Sequence, residues 1–170
     1  MKINIVAVGK IKEKFLIDGI AEYSKRLSAY AVVNQVEVPE ETSVLNVETK
    51  SIREGERLLE KARGFKIGLD SKGLSLDSKG LSKLIHSNMI NGISEISFII
   101  GGSNGLSANV KNSCDMLLSF GKFTFPHQLF RLMLYEQIYR SFTIINNTPY
   151  HKWFLCLDLR WQVSYILNTN

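Results

Sequence analysis

The chain has 170 residues, of which 45% are hydrophobic and 22% are charged. This length fits one domain of about 150 residues, and the composition excludes a wholly disordered, collagen-like or coiled-coil chain. The net charge of +5 and the pI near 9.2 permit a polyanionic partner, although an enzyme without such a partner can be equally basic.

Cysteine and histidine usage excludes several classes of protein. Cys114 and Cys156 form no Cys-x-x-Cys motif and cannot build a disulfide framework. His86, His127 and His151 lack the spacing of zinc ligands. No apolar run approaches the roughly 18 residues of a membrane span, and no secretory signal pattern opens the sequence. We therefore expect a cytoplasmic protein with no metal and no membrane partner.

Strand and helix patterns alternate along the chain. Short β-branched runs predict strands, and longer runs with apolar residues at helical spacing predict helices. The predicted strands are 3–8, 32–38, 65–70, 96–100 and 116–120. The predicted helices are about 13–29, 51–63, 77–89, a short one from 107, and 127–141, with a polar loop at 40–50 and a turn at 71–73. This alternation is typical of an α/β domain with a mainly parallel sheet flanked by helices.

Three of the predicted strands end beside glycine. Leu69 precedes the turn at 71–73, Ile100 precedes Gly101, and Phe120 precedes Gly121. Tight strand-to-helix turns also favour glycine, but three such ends together favour a cofactor crevice at the carboxyl edge of the sheet. Residues 101–105 match neither the dinucleotide fingerprint nor the nucleoside triphosphate loop. A nucleotide-like ligand would therefore be one that needs no pyrophosphate cradle.

The last predicted helix carries polar residues on an otherwise apolar background. Glu136 and Arg140 are four residues apart and share one face. One interpretation is a surface ion pair worth about 0.3–0.5 kcal/mol, and the other is a polar functional site. His127, at the start of this helix, is interpreted as a capping or packing residue or as a functional one.

Five segments of the chain resemble motifs of the bacterial ribosomal large-subunit methyltransferase H family, which belongs to the SPOUT class. They are Met1–Lys10, Phe98–Leu106, Leu118–Gln128, Leu134–Arg140 and Pro149–Lys152. The matches occur in order and at near-constant spacing, which argues against chance.

The resemblance implies a homodimeric α/β domain over residues 1–152 with a C-terminal trefoil knot of the SPOUT type. It implies S-adenosyl-L-methionine as the methyl donor. The implied acceptor is N3 of a pseudouridine in helix 69 of 23S rRNA within the assembled ribosome. A ribosome-binding module with impaired turnover and a SPOUT enzyme acting on tRNA are the alternatives.

The resemblance also assigns roles to particular residues. The implied cofactor-binding residues are Leu69, Gly101, Phe120, Gly121, Lys122, Phe123, Thr124 and Phe125. The implied catalytic and RNA-facing residues are Glu136, Arg140, Tyr150 and His151, followed by Lys152. Arg140 is expected to bind phosphate or orient the base, Tyr150 to stack on the base, and His151 to assist substrate placement or proton loss. His127 is given a structural role.

Residues 153–170 depart from the family pattern, because family members end close to the Tyr-His-Lys segment. This stretch is rich in apolar residues and forms an atypical C-terminal extension. It is interpreted either as a natural extension that packs or mediates association, or as a terminus altered by readthrough or a change of frame. If it folds over the RNA site, the chain would bind cofactor but methylate poorly.

Overall fold

The computed structural model describes residues 1–43, 46–121, 123 and 125–150. Its strands are β1 (Lys2–Val8), β2 (Val32–Val38), β3 (Phe65–Ser75), β4 (Glu95–Ile100) and β5 (Met116–Ser119). Its helices are α1 (Lys14–Leu27), α2 (Val47–Lys61), α3 (Ser78–Ile90), α4 (Ala108–Ser113) and α5 (His127–Ile145). The predicted alternation of strands and helices is confirmed.

The strands form one sheet in the order β2-β1-β4-β3-β5, and every pair in it is parallel. At the centre, Ile5 of β1 lies opposite Gln35 of β2 and Phe98 of β4. Because all the strands run in one direction, their carboxyl ends meet at a single edge, where ligands of open parallel sheets bind. The predicted α/β class with a parallel sheet is therefore confirmed.

Helices cover both faces of the sheet. Helices α1, α3 and α5 pack together on one face, and α2 and α4 pack together on the other. Successive side chains of β1 point to opposite faces, so Ile5 joins the core under α5 while Val6 joins the core under α2. Each such buried side chain contributes about 1.5–3 kcal/mol. This two-sided burial explains why β1 is apolar throughout and does not alternate.

Helix α2 begins at Val47, four residues before its predicted start, so the predicted loop at 40–50 was too long. The side chain of Asn46 accepts hydrogen bonds from the backbone N–H groups of Glu48 and Thr49. Such a cap satisfies donors that the first turn leaves unpaired and stabilises a helix by about 1 kcal/mol. Because this segment is mostly polar, it lacks the apolar spacing from which a helix start is predicted.

Strand β3 extends to Ser75, beyond its predicted end at residue 70. Leu69 and Leu74 both lie opposite Leu118 of β5, so the residues between them form an irregularity inside the strand. The predicted turn at 71–73 lies in this irregularity. A side chain at Gly73 would place its Cβ 2.6 Å from the backbone carbon of Leu117, so the position requires glycine.

Helix α5 is longer than predicted and ends at Ile145 instead of residue 141. Its last turns are held by tertiary packing, since Phe142 is buried against the sheet. Several sequence predictions fall on Lys122, Thr124, His151, Lys152 and the 153–170 extension, which lie outside the described residues. Within the described part of the chain, no helix is long and apolar enough to cross a membrane.

Candidate active site

A cavity lies at the carboxyl edge of the sheet, where β3, β4 and β5 end beside the start of α5. All three strand ends singled out in the sequence line it. The predicted cofactor-binding residues that the structure brings together here are Leu69, Gly101, Phe120, Gly121, Phe123 and Phe125. Their function as cofactor ligands stays a prediction.

One wall of this candidate cofactor cavity is aromatic. The rings of Phe120 and Phe130 are 4.9 Å apart at 58°, and those of Phe125 and Phe130 are 6.1 Å apart and stacked. Leu118 of β5 is buried beneath them. A wall of this kind suits a flat apolar group such as a purine ring.

The glycine loop, residues 101–105, forms another part of the cavity lining through Gly101, Gly102 and Gly105. The N–H of Gly105 donates to the carbonyl oxygen of Gly102 at 2.9 Å, which closes the loop. A Cβ at Gly101 would lie 2.4 Å from the backbone carbon of Gly105, and Gly105 itself has φ +76°. Glycine is needed at both positions, and it leaves backbone polar groups able to approach a ligand closely.

Asp70 supplies a carboxylate to the cavity. Its oxygens accept from Lys111 Nζ at 2.7 Å and from the backbone N–H of Lys72 at 2.8 Å. Burial opposes ionisation of this carboxyl, but the Lys111 and Lys72 hydrogen bonds outweigh burial and hold its pKa below the ordinary value. An ionised carboxylate at this place can accept a hydrogen bond from a ribose hydroxyl.

His127, the first residue of α5, lines the same cavity. Burial, assisted by the nearby Arg131 guanidinium, lowers the pKa of its imidazole. Its Nδ1 atom is buried and has no hydrogen-bond partner among the described residues. The ring is therefore neutral at pH 7, and its predicted structural role stays a prediction.

Glu136, Arg140 and Tyr150 form a second group of polar side chains, as their motifs suggested. Arg140 Nε donates to Glu136 Oε1 at 2.9 Å, and the Tyr150 hydroxyl donates to the same oxygen at 3.3 Å. The Arg140 guanidinium lies 5.0 Å from the centre of the Tyr150 ring, a cation–π distance. The structure thus contains the i, i+4 ion pair that the sequence predicted and adds a tyrosine to it.

The environment of Tyr150 keeps its hydroxyl protonated. Burial raises the pKa of Tyr150, and its contacts with Tyr23 and the Glu136 carboxylate raise it further. Its ring packs edge-on against Tyr139 with the centres 4.7 Å apart. For Arg140, burial is outweighed by Glu136, and the pKa of the guanidinium is raised. Both side chains are therefore held in one place before any substrate binds.

This polar group lies next to the cofactor cavity. Glu136 lines a further cavity together with Leu118 and Phe120, and these two residues also line the cofactor cavity. The structure therefore places Glu136 one layer of side chains from the cavity at the three strand ends.

The sequence did not reveal the environment of Arg131. It belongs to the polar residues of the last helix, yet it is 1% exposed and donates to the backbone oxygens of Val8 and Gly9 and to Glu37. The sequence did contain one signal of a site near Arg131. Strand β1 is also followed by a glycine, and in a parallel sheet its carboxyl end lies at the same edge as the three other strand ends. No pattern in one sequence shows that an arginine in the same helix as Arg140 is wholly buried.

The residues present fit a nucleoside cofactor without phosphates. The aromatic wall suits a base, and Asp70 offers an acceptor for a ribose hydroxyl. A Cβ at Gly101 would collide with the backbone of Gly105, so the loop keeps glycine there and its backbone groups can approach a ligand closely. Among the described residues, no group of three or more histidine, cysteine and carboxylate side chains could hold a metal ion.

Comparison with known proteins gives the class of protein that this sheet and cavity define. The sequence model described as "Predicted SPOUT methyltransferase" matches residues 1–151. A tRNA (m1G37) methyltransferase from Aquifex aeolicus has a similar fold, with a TM-score of 0.50, 15% identity, and coverage of 82% of this chain and 70% of that one.

Closer relatives carry one name. A ribosomal RNA large subunit methyltransferase H from Fusobacterium nucleatum is 48% identical over 155 residues, covering 89% of this chain and 100% of that protein. Another, from Carboxydothermus hydrogenoformans, is 51% identical over 159 residues with the same coverage. The chain belongs to the SPOUT methyltransferases and, within them, to the ribosomal RNA large subunit methyltransferase H family.

Proposed function

We propose that this protein is an S-adenosyl-L-methionine-dependent methyltransferase that modifies N3 of a pseudouridine in helix 69 of 23S rRNA within assembled ribosomes. The observation that carries the proposal is the near 50% identity to proteins named ribosomal RNA large subunit methyltransferase H, over all of their length. The cavity at the three strand ends supports it, because its walls suit a nucleoside without phosphates.

The cavity's own residues bind and align the cofactor. S-adenosyl-L-methionine supplies a methyl group that is already activated on a sulfonium, so the protein mainly provides proximity and alignment. The aromatic wall at Phe120 and Phe125 holds the adenine, and the glycine loop at Gly101 contacts it through backbone groups. Lys122 and Thr124 complete this binding segment. Asp70 accepts from the ribose.

The group formed by Glu136, Arg140 and Tyr150 binds the RNA. Arg140, fixed by Glu136, binds a phosphate or orients the target base, and Tyr150 provides an aromatic surface beside it. His151 assists placement of the base or loss of its N3 proton, which must leave when nitrogen forms its bond to the methyl carbon. The protein acts in the cytoplasm as a homodimer, and its chain forms the trefoil knot of the SPOUT class.

A methyl-transfer assay tests this function. Purified protein is incubated with a labelled methyl donor and, separately, with ribosomes that lack the modification, free rRNA and tRNA. Label is expected on ribosomes. Cofactor binding without label on ribosomes would contradict the proposal and favour a ribosome-binding module, and label on tRNA alone would select a tRNA methyltransferase.

A further inference from the structure

A second cleft opens beside the cofactor cavity, at the carboxyl ends of β1 and β4. Its walls are the β1–α1 loop with Lys10 and Lys12, Ser103 of the glycine loop, and the first turns of α5. Gly102 and His127 line both this cleft and the cofactor cavity. Whatever binds in the cleft therefore lies next to the cofactor.

The cleft is positively charged. Lys10 and Lys12 are exposed, and neither makes a salt bridge to any residue in the described part of the chain. Glu40 also lines the cleft, but its carboxylate is engaged by Lys50 at 2.8 Å. Lys10 and Lys12 outnumber Glu40 in the cleft, and Glu40 is also paired with Lys50, so an anion meets a net positive charge.

The loop that carries these lysines is fixed in place. The Lys12 N–H donates to Gln128 Oε1 at 2.8 Å, and the Ile11 N–H donates to Glu37 Oε1 at 3.1 Å. Arg131 adds a hydrogen bond to the Gly9 carbonyl at 2.8 Å and an ion pair with Glu37 at 3.0 Å. An anion arriving here meets a backbone that is already ordered, so binding costs less conformational entropy.

One N–H donor of the Arg131 side chain is unpaired in the described part of the chain. Arg131 is 1% exposed and lines the cleft, yet its Nε–H has no acceptor among the described residues. A buried donor left without a partner is unfavourable. An anion in the cleft would lie beside this buried guanidinium and be attracted by its charge.

We propose that this cleft binds a backbone phosphate of the RNA substrate at, or next to, the nucleotide that is methylated. The assignment rests on the proposed function and adds a phosphate site to it. Lysine is a compact point charge that binds phosphate, and phosphate contacts fix the register of a protein on nucleic acid without reading the sequence. Arg131 is a positioning residue, because it holds the loop that presents Lys10 and Lys12.

The carboxylate of the cofactor's methionine portion is the other anion that could reach this cleft, so the experiment must separate the two. The test variant is Lys10→Gln with Lys12→Gln. The matched control is Lys2→Gln with Lys25→Gln, which removes the same charge from exposed lysines at the amino edge of the sheet. Binding of each protein to unmodified ribosomes is measured over a range of salt concentrations, and cofactor binding is measured by calorimetry.

The test variant is expected to bind ribosomes about tenfold more weakly, with KM raised more than kcat is lowered. The slope of log affinity against log salt should fall by about 0.7–0.9 for each phosphate that the variant no longer neutralises. Cofactor affinity should stay within twofold of the wild type, and the control pair should change neither quantity.

Three results would overturn the assignment. If the test variant binds ribosomes like the wild type, the cleft holds no RNA phosphate. If cofactor affinity falls while ribosome binding does not, the anion is the cofactor carboxylate. If the control pair has the same effect, only net charge matters. The wild type is assayed in the same series. If it modifies no ribosomes, both the proposed function and this assignment are refuted. If it is active and one of the three results is found, only the assignment of the cleft is refuted.

Discussion

At the scale of single residues, the site depends on side chains held before substrate arrives. Glu136 accepts from both Arg140 and Tyr150, and Asp70 accepts from Lys111 and from the Lys72 backbone. Such pairs contribute little to stability when partly exposed. Their value is in fixing geometry, since a catalytic group misplaced by about 1 Å can cost a hundredfold in rate.

Arg140→Ala is expected to impair methyl transfer more than cofactor binding. The substitution removes the cation proposed to contact RNA and leaves the cofactor cavity intact, so kcat/KM should fall about tenfold or more, a loss of at least about 1.4 kcal/mol. Steady-state transfer to ribosomes and cofactor calorimetry measure the two effects.

Arg63→Ala is the control, since Arg63 is exposed at the amino edge of the sheet, between α2 and β3, and its guanidinium donates, within the described part of the chain, only to the backbone oxygens of Glu60 and Ala62. It should leave transfer unchanged. Equal reductions of transfer and cofactor binding in Arg140→Ala would contradict the role given to Arg140.

At the scale of elements, the site is assembled from strand ends and from the start of α5. The sequence placed all five strands and the three glycine-marked ends, because buried parallel strands read as apolar runs that stop abruptly. It placed the start of α2 and the end of β3 wrongly, since a single capping asparagine and an irregularity inside a strand leave weak signals. The burial of Arg131 depends on which element packs against α5, and a single sequence does not contain that information.

Gly101→Ala tests the glycine loop as an element of the cofactor cavity. The added Cβ would lie 2.4 Å from the backbone of Gly105, so the loop must shift. Cofactor affinity should fall at least about tenfold, while circular dichroism shows an intact sheet. Gly92→Ala is the control, because Gly92 has a positive φ but lies in the α3–β4 turn at the opposite edge. Cofactor binding unchanged in Gly101→Ala would remove this loop from the site.

Arg131→Met tests the connection between α5 and the β1–α1 loop. The substitution leaves the backbone oxygens of Val8 and Gly9 and the Glu37 carboxylate without their buried donor. The free energy of unfolding should drop by roughly 3 kcal/mol, measured by urea titration at fixed protein concentration. Arg26→Met should cost under about 0.5 kcal/mol. A decrease below about 1 kcal/mol for Arg131→Met would show that Arg131 does not hold this loop.

At the scale of the whole molecule, the described chain folds around two hydrophobic cores, one on each side of a single parallel sheet. Their buried members run from Ile3 to Phe142, and the family match ends at residue 151. The division into a domain of residues 1–152 and an extension of residues 153–170 stays a prediction, as do the dimer and the knot.

Removing residues 153–170 tests that division. Because the family match ends at residue 151, the shortened chain should keep its melting temperature, and its transfer to ribosomes should stay within about threefold of the full chain. A chain ending at Pro149 is the control: it also lacks Tyr150, which contacts Glu136 and Tyr139, and should be inactive in transfer. Unfolding or aggregation of the 1–152 chain would contradict the proposed boundary.

The chemical identity of the product tests the proposed function most directly. Unmodified ribosomes are treated with the wild-type protein and S-adenosyl-L-methionine, and the rRNA is digested and analysed by mass spectrometry. We expect one added methyl group, in the fragment that contains helix 69, released as N3-methylpseudouridine. A methyl group on another nucleotide of 23S rRNA, or none on ribosomes under conditions where the cofactor binds, would contradict the proposed function.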